Sequence, residues 1–345
     1  MMNKIKDKIK NMSDTNLLLS ITIIVFFVMY IGAIVIQGAG FRKFQTFFNI
    51  LDTNAYLILL ACGLSIVMIN GSIDISVGGV TALVSMCCAV YLDYSESPSL
   101  WVSVLIALGI GLAFGLVQGI LIAYLDIQPF IVSLAGMFFA RGMTTIVHTN
   151  PFNVENQNFV ALKDTRIEIP FLAQMNNNGI LIAPYIEIGA IVALVFVIGL
   201  FFLLRYSKLG RNFYAVGGNN QSALMLGINV KRTKFLAHML CSALAGIGGY
   251  VYFLHIGSGS PSHASGAEMN AIASSIIGGT MLTGGVGNII GTFFGVLSLT
   301  TIQNIVSSAG LDQAWWTGIT IAAMLCLFLV IQSVVMARKK KTAKK

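Results

Sequence analysis

Apolar residues run along this chain in unbroken stretches, near 17–37, 54–69, 76–92, 100–124, 130–147, 184–204, 235–255, 269–283, 288–308 and 315–336, each bounded by a short polar break. About 20 apolar residues in a helix cross the roughly 30 Å hydrocarbon core of a bilayer. Continuous runs suit helices, which satisfy their own backbone groups in lipid, whereas barrel strands alternate. The pattern therefore predicts an all-α polytopic membrane protein of about ten transmembrane helices. The first stretch, Leu17 to Gln37, follows lysines like a signal peptide. It exceeds the 7–15 residues of a cleavable core and reads as a retained first helix.

Composition supports the pattern. Of 345 residues 56% are hydrophobic and 10% charged, with mean hydropathy +0.84, against roughly 45–50% and 25% in soluble domains. A soluble enzyme is excluded. The net charge of +8 reports topology rather than nucleic-acid binding, because the basic residues are clustered. Lys4, Lys6, Lys8 and Lys10 precede the first span. Arg205, Lys208, Arg211, Lys231, Arg232 and Lys234 occupy one loop, and Arg338 to Lys341, Lys344 and Lys345 form the tail. Ten spans put both ends on one side, and the positive-inside rule places these clusters in the cytoplasm. Arg42, Lys43, Lys163 and Arg166 fall outside. The expected organisation is a single transmembrane domain over 1–345, with basic cytoplasmic ends at 1–16 and 337–345 and a cytoplasmic loop at 205–234. The external segment His148 to Ala183, rich in asparagine (Asn150, Asn153, Asn156, Asn158, Asn176, Asn177, Asn178), has a surface-loop composition and is too small for a catalytic domain. Cys62, Cys87, Cys88, Cys241 and Cys326 lie in apolar stretches without metal-ligand spacing and read as small buried side chains.

Among the 35 glycines, Gly111, Gly115 and Gly119 repeat every fourth position in the fourth span, and Gly287, Gly291 and Gly295 do so in the ninth. Two rows five spans apart suggest an inverted five-helix repeat. Close helix packing through small residues with coincident spacing accounts for them as well.

No glycine is followed by lysine, so the phosphate-cradling G-x-x-x-x-G-K-[ST] loop is absent. H-E-x-x-H is also missing, and His148, His238, His255 and His263 lack carboxylates at metal-ligand spacing. No catalytic residue, metal ligand or cofactor is expected in this chain. Ionisable residues near the bilayer are few: Asp74, Asp126, Arg141, Glu187, Glu268 and Asp312. A charge at depth is costly and marks a functional candidate. Glu187 and Asp312 lie within a turn of an external boundary, where water reaches them.

Asp74 sits in Asn70-Gly71-Ser72-Ile73-Asp74-Ile75-Ser76-Val77-Gly78-Gly79, a polar break between two short apolar stretches. Short, interrupted segments point to a substrate path or gate, so Asp74, Ser76 and Gly78 are candidates. A tight turn with Asp74 or Ser76 capping the next helix is the structural alternative. Glu268 and Asn270 head a second such segment, running to Gly278-Gly279-Thr280 and Gly284-Gly285-Val286-Gly287. An acid there complements the helix dipole, and its place after Gly257 to Gly266 also suits a gate or an external docking point. Arg141 has no evident partner one turn away, so it either snorkels to an interface or pairs across helices. Trp315 and Trp316 read as interfacial anchors.

The loop Lys208-Leu209-Gly210-Arg211-Asn212-Phe213-Tyr214-Ala215-Val216-Gly217-Gly218-Asn219-Asn220-Gln221-Ser222-Ala223-Leu224-Met225-Leu226-Gly227 resembles the cytoplasmic coupling segment of ribose-type sugar ABC-importer permeases. Gly71 to Gly79 is similar to that family's G-G-I-D-L-S-V-G-S element, and Glu268 to Gly287 to its E-x-x-A-I-A…G-G-T…G-G-x-G element. Asn70-Gly71-Ser72 replaces the usual paired glycines, and Ser222-Ala223 replaces two alanines. Leu134 to Gly142 and Trp315-Trp316-Thr317 look most like the galactofuranose-type permeases. The resemblance implies a vitamin-B12-importer-like bundle, paired with a second permease or a second copy of this chain. A separate ABC ATPase would hold ATP and magnesium, and an extracytoplasmic sugar-binding protein would deliver substrate. It implies a short helix near Ser222 to Leu226 docked in a groove of the ATPase, with Gly210, Arg211, Asn219, Ser222, Ala223, Leu226 and Gly227 as coupling residues. The function implied is monosaccharide import across the bacterial cytoplasmic membrane. An ion-coupled secondary transporter, motivated by Asp74 and Arg141, is the alternative; a membrane-embedded enzyme lacks any paired catalytic group.

Overall fold

The computed structural model describes residues 14–38, 41–175, 181–311 and 313–343. Lys4, Lys6, Lys8, Lys10, Asn176, Asn177, Asn178, Asp312, Lys344 and Lys345 lie outside them. Fourteen helices are described in chain order: α1 (Asp14–Gln37), α2 (Phe44–Thr53), α3 (Ala55–Ile69), α4 (Val77–Tyr94), α5 (Leu100–Ala123), α6 (Pro129–Val147), α7 (Gln157–Lys163), α8 (Ile188–Tyr206), α9 (Lys208–Gly218), α10 (Asn220–Met225), α11 (Val230–Ile256), α12 (Ala267–Ile277), α13 (Ile289–Ser308) and α14 (Ala314–Ala343). Three two-stranded antiparallel ladders decorate the polar segments; one, Phe152 with Gly259, ties the segment after α6 to the loop after α11.

Among the described residues, eight of these helices are long and apolar enough to cross a membrane, or nine spans if the pair α2–α3, bent by 57°, counts as one. The predicted span at 269–283 is shorter than expected. Its helix, α12, has 11 residues, about 16 Å at 1.5 Å per residue, or half a bilayer. The cause lies on both sides of it. The loop 257–266 descends along α4, with Gly259 against Ala89 and His263 against Ser85, so α12 begins at depth beside Gly78. At its far end Gly279 adopts φ +88°, a conformation that stops a helix of L residues.

Outer and inner helices divide by composition of their faces. Ile24, Val28, Ile31 and Val35 of α1, Leu105 and Leu112 of α5, and Val195, Ile198 and Phe202 of α8 are exposed, as an apolar solvent requires. The centre is α3, α4 and α11. Helix α11 packs along α3, α4 and α5, and small residues let the backbones approach. A Cβ on Gly111 would lie 2.6 Å from the Ser242 carbonyl oxygen, and one on Gly246 would lie 2.5 Å from that of Ala107.

Both glycine rows are packing surfaces, with partners that are not equivalent. Gly111, Gly115 and Gly119 face α11, while Gly291 and Gly295 face Gly278 and Ser274 in the neighbouring α12 segment. A similar order of neighbours recurs in the two halves of the chain. Helix α4 packs on α5 and α6 as α12 packs on α13 and α14, and α11 meets α4 and α5 as α3 meets α12 and α13. Helices α1 and α8 depart from it, since α1 packs on α13 and α8 on α3.

The start of α1 and the late turns of α14 lie at the face that carries α9 and α10: Leu18 sits against Gly279, and Gln332 donates to the Ile276 carbonyl. This is called the basic face below. Three cysteines (Cys62, Cys88, Cys241) are buried as expected, Cys87 is partly so, and Cys326 is exposed on α14, correcting its expected burial.

Candidate functional site

At the basic face the chain between α8 and α11 folds into two helices rather than one. Ser207 caps α9, its Oγ accepting from the Gly210 amide at 3.0 Å. Gly210 is required at that elbow, because a side chain would collide with the backbone of Leu204. Arg211 is exposed and donates to the Tyr206 carbonyl. Phe213 and Val216 are buried. Burial pushes the Tyr214 hydroxyl up to about 12, against the opposing pull of Arg205, so it stays protonated and donates to the Gly287 carbonyl at 2.9 Å.

Asn219 then caps α10, accepting from the Ser222 amide at 2.8 Å. Gly227, at φ +77°, closes α10 with Gly227 N–H to Leu224 O and Ile228 N–H to Ala223 O, the double bond of a left-handed helix stop. Ala223 is buried beneath this short helix, whereas Leu224, Met225 and Leu226 are 64%, 87% and 77% exposed. The expected helix at Ser222 to Leu226 thus lies at Asn220–Met225. Its most exposed side chain is Met225, which sequence reasoning passed over. An apolar tip on a surface otherwise rich in arginine and lysine was the signal available.

Three glycine-rich segments meet directly behind α9. A Cβ on Gly217 would collide with the Ile69 carbonyl oxygen and lie 2.7 Å from the Gly285 nitrogen; one on Gly284 would lie 2.6 Å from the Gly217 oxygen and 2.9 Å from the Gly71 Cα. Gly285 N–H donates to the Ile69 carbonyl at 2.8 Å. Gly71, Gly284 and Gly285 all have φ between +74° and +84°. Backbone rests on backbone here, so a displacement of α9 reaches the end of α3 and the 278–288 segment without soft side chains between. Hydroxyls continue the link: Ser65 bonds Thr292 at 2.5 Å and Thr280 at 3.2 Å.

Above this junction the two predicted path segments form separate clusters. Asp74 is fully buried; its Oδ1 accepts from the Ser76 amide at 2.9 Å and the Ser76 hydroxyl at 2.6 Å. Ser76 Oγ in turn accepts from Gln118 of α5 at 2.8 Å, and His238 Nδ1 of α11 stands 4.0 Å from Asp74 Oδ2. Among the described residues, that oxygen, both His238 ring nitrogens and the Gln118 carbonyl oxygen find no hydrogen-bond partner. Asp74 forms the tight turn but no cap: its carboxylate holds Ser76, the residue before α4, and no side chain caps that helix. The turn lies inside a polar knot joining α4, α5 and α11. Gln118 and His238 were not singled out as site residues, although a lone amide inside the run Leu100 to Ala123 is a visible signal.

The second cluster gathers Gly78, Arg141 and Glu268. Gly78 leaves room for the Glu268 carboxylate, which a Cβ there would overlap. Arg141 pairs across helices, 3.9 Å from Glu268, and its guanidinium donates to the carbonyls of His263 and Ala264, the latter at 2.7 Å. Asn270, two residues along from Glu268, is partly exposed beside the exposed Met269. His263 Nδ1 lies 3.2 Å from Ser85 Oγ. At the opposite face Glu187 is held by His255 at 2.7 Å, and its amide donates to Asp52. Among the described residues no group of three or more His, Cys, Asp or Glu side chains is placed to hold a metal ion.

Comparison with known proteins gives this arrangement its place. The chain is 35% identical to the inner membrane ABC transporter permease protein YjfF of Escherichia coli K12, over 93% of each chain. It is 34% identical to the fructose import permease protein FruG of Bifidobacterium longum, over 82% of this chain and 81% of that one. To the ribose import permease protein RbsC of Escherichia coli K12 it is 30% identical, over 84% and 87%. No solved structure matches. Residues 46–329, from α2 to α14 and including both broken segments and the α9–α10 element, match the family described as branched-chain amino acid transport system, permease component. The chain belongs to that family of multi-pass transport permeases.

Proposed function

We propose that this chain is the membrane-spanning subunit of an ATP-binding-cassette importer for a monosaccharide, a pentose or hexose with galactofuranose among the candidates. The sugar class follows the names of its relatives, which specify fructose and ribose import. One observation carries the mechanism. The exposed apolar tip Leu224-Met225-Leu226 is joined through the Gly217 junction to the ends of α3 and the 278–288 segment, the two places where the membrane helices are broken.

An ATPase subunit binds ATP and magnesium and receives α10 in a groove, with Asn219, Ser222, Ala223 and Gly227 shaping the tip and Gly210 and Arg211 setting the elbow. Its closure moves α9 as a unit. The motion reaches Asp74, Ser76 and Gly78 through Gly71, and Glu268 and Asn270 through Gly284 and α12. The exposed face at Met269 and Asn270 meets a second permease, either a sister chain or another copy. The strand-tied loops at the opposite face receive an extracytoplasmic sugar-binding protein. The N and C termini lie in the cytoplasm of a bacterial cell, as the basic clusters require. Sugar contacts in the path are weak, because capture belongs to the binding protein.

The test is mass spectrometry of the proteins that co-purify with the chain from its own membranes, with ATPase activity and uptake of labelled ribose, fructose and galactofuranose measured in proteoliposomes. Recovery of a nucleotide-hydrolysing subunit and ATP-dependent sugar uptake are expected. Uptake that needs no partner and collapses with an ion gradient would overturn the proposal in favour of gradient-driven transport, for which the buried Asp74–His238 pair is the physical motive.

A further inference from the structure

A half-open cavity of about 540 Å³ lies at the basic face between the starts of α1 and α13, the end of α8 and the side of α9. Arg205 and Arg211 both line it, with Asn16 and Asn288 from the first turns of α1 and α13, and Phe201 and Leu204 forming an apolar wall. Among the side chains described, no carboxylate lies within ion-pair distance of either guanidinium. Two helix N-termini converge on the same space, adding positive potential. The sequence 1–14 that precedes the lining residue Thr15 is itself net positive, with four lysines against Asp7 and Asp14.

We propose that this cavity binds the phosphodiester headgroup of an anionic phospholipid from the leaflet at the basic face. Two arginines in a half-open cavity are a donor set for a phosphate group, whose oxygens accept paired N–H bonds from guanidinium. A lipid is favoured over a free anion by what lies beside the cavity. Val195, Ile198, Phe202 and Arg205 fall on one stripe of α8 at steps of three and four residues. The first three are 62%, 56% and 54% exposed, and the arginine stands at the basic end of that stripe. An acyl chain laid along the stripe therefore delivers its phosphate to Arg205. Basic pockets between transmembrane helices on this side of a membrane suit such headgroups. The bound lipid bridges α1, α8 and α9 and restrains α9, whose Tyr214 shares the cavity and holds Gly287. This inference needs only the placement of α9 at the membrane face and is independent of the solute carried.

The test is native mass spectrometry of the detergent-purified full chain, with whatever complex it forms, titrated with phosphatidylglycerol or phosphatidylcholine. One phosphatidylglycerol is expected to bind in preference to phosphatidylcholine. The R205Q/R211Q double substitution, at two exposed side chains, weakens that binding about 30-fold, from roughly one unit of surface attraction per basic residue. K231Q/R232Q removes the same charge at the start of α11 and leaves it intact. R205K/R211K restores part of it and separates lost charge from misfolding. Equal loss in both double substitutions, or no preference between the lipids, overturns the proposal. Displacement by inorganic phosphate or glycerophosphate as readily as by the lipid also overturns it, assigning the cavity to a free anion.

Discussion

Gly217 and Gly218 are neighbours at the end of α9, yet they sit in opposite environments. A Cβ on Gly218 meets nothing within 4 Å, whereas one on Gly217 overlaps the Ile69 carbonyl oxygen and lies 2.7 Å from the Gly285 nitrogen. Restoring an ordinary 3.4 Å contact at Gly285 requires at least 0.7 Å of separation (3.4 less 2.7), and more at Ile69. The added Cβ would press on both partners of the 2.8 Å Gly285–Ile69 hydrogen bond, so that bond is expected to be lost where the segments part. Overpacking of this kind costs about 1–3 kcal/mol and the lost hydrogen bond about 1 kcal/mol. Together these shift the closed junction by about 30- to 1,000-fold. Gly217→Ala is therefore expected to abolish solute-stimulated ATPase activity and uptake in proteoliposomes while the complex still assembles. Gly218→Ala, which relieves the helical cost of glycine, behaves as the parent. Equal behaviour of the two substitutions would refute the junction as the path of coupling.

Two further outcomes follow from the same geometry. Met225→Glu removes apolar contact from a side chain 87% exposed and should uncouple ATP hydrolysis without lowering Tm, whereas Ala223→Leu, at 2% exposure, should lower Tm by overpacking; a fall in Tm for both counts against α10 as a docking tip. Gly78→Ala displaces the Glu268 carboxylate, costing about 1–3 kcal/mol, and Glu268→Ala in the same chain should recover most of that loss, a coupling read from the Tm of all four variants.

The hydrophobic runs determined most of this fold before any packing was known, because a span must be long, apolar and helical wherever it meets lipid. The same reasoning placed Glu268 in a first helical turn and the α10 helix within two residues of its position. The charge clusters put one face of the molecule together, and α1, α9, α10 and the end of α14 do converge there. What the sequence left open concerns depth and partners. Residues 269–283 have the composition of a full span, but the re-entrant loop 257–266 and the stop at Gly279 leave 11 helical residues. Arg141 showed no partner along its own helix, since its partners are Glu268 and two loop carbonyls more than 120 residues away.

Asp74 read equally as path residue and as part of a tight turn with Asp74 or Ser76 as cap; its Ser76 bonds make the turn while no side chain caps α4, and its neighbours Gln118 and His238 come from helices whose rotation only packing fixes. The glycines of the junction were visible as residues, but their mutual contact was not. Spacing along a chain reports which face of its own helix a residue occupies, whereas the approach of Ile69, Gly217 and Gly285 is set by three crossings distant in sequence. Length, apolarity and charge are local properties and act through the bilayer on each segment separately. Contacts between broken segments are collective, and they exist only once all the helices have packed.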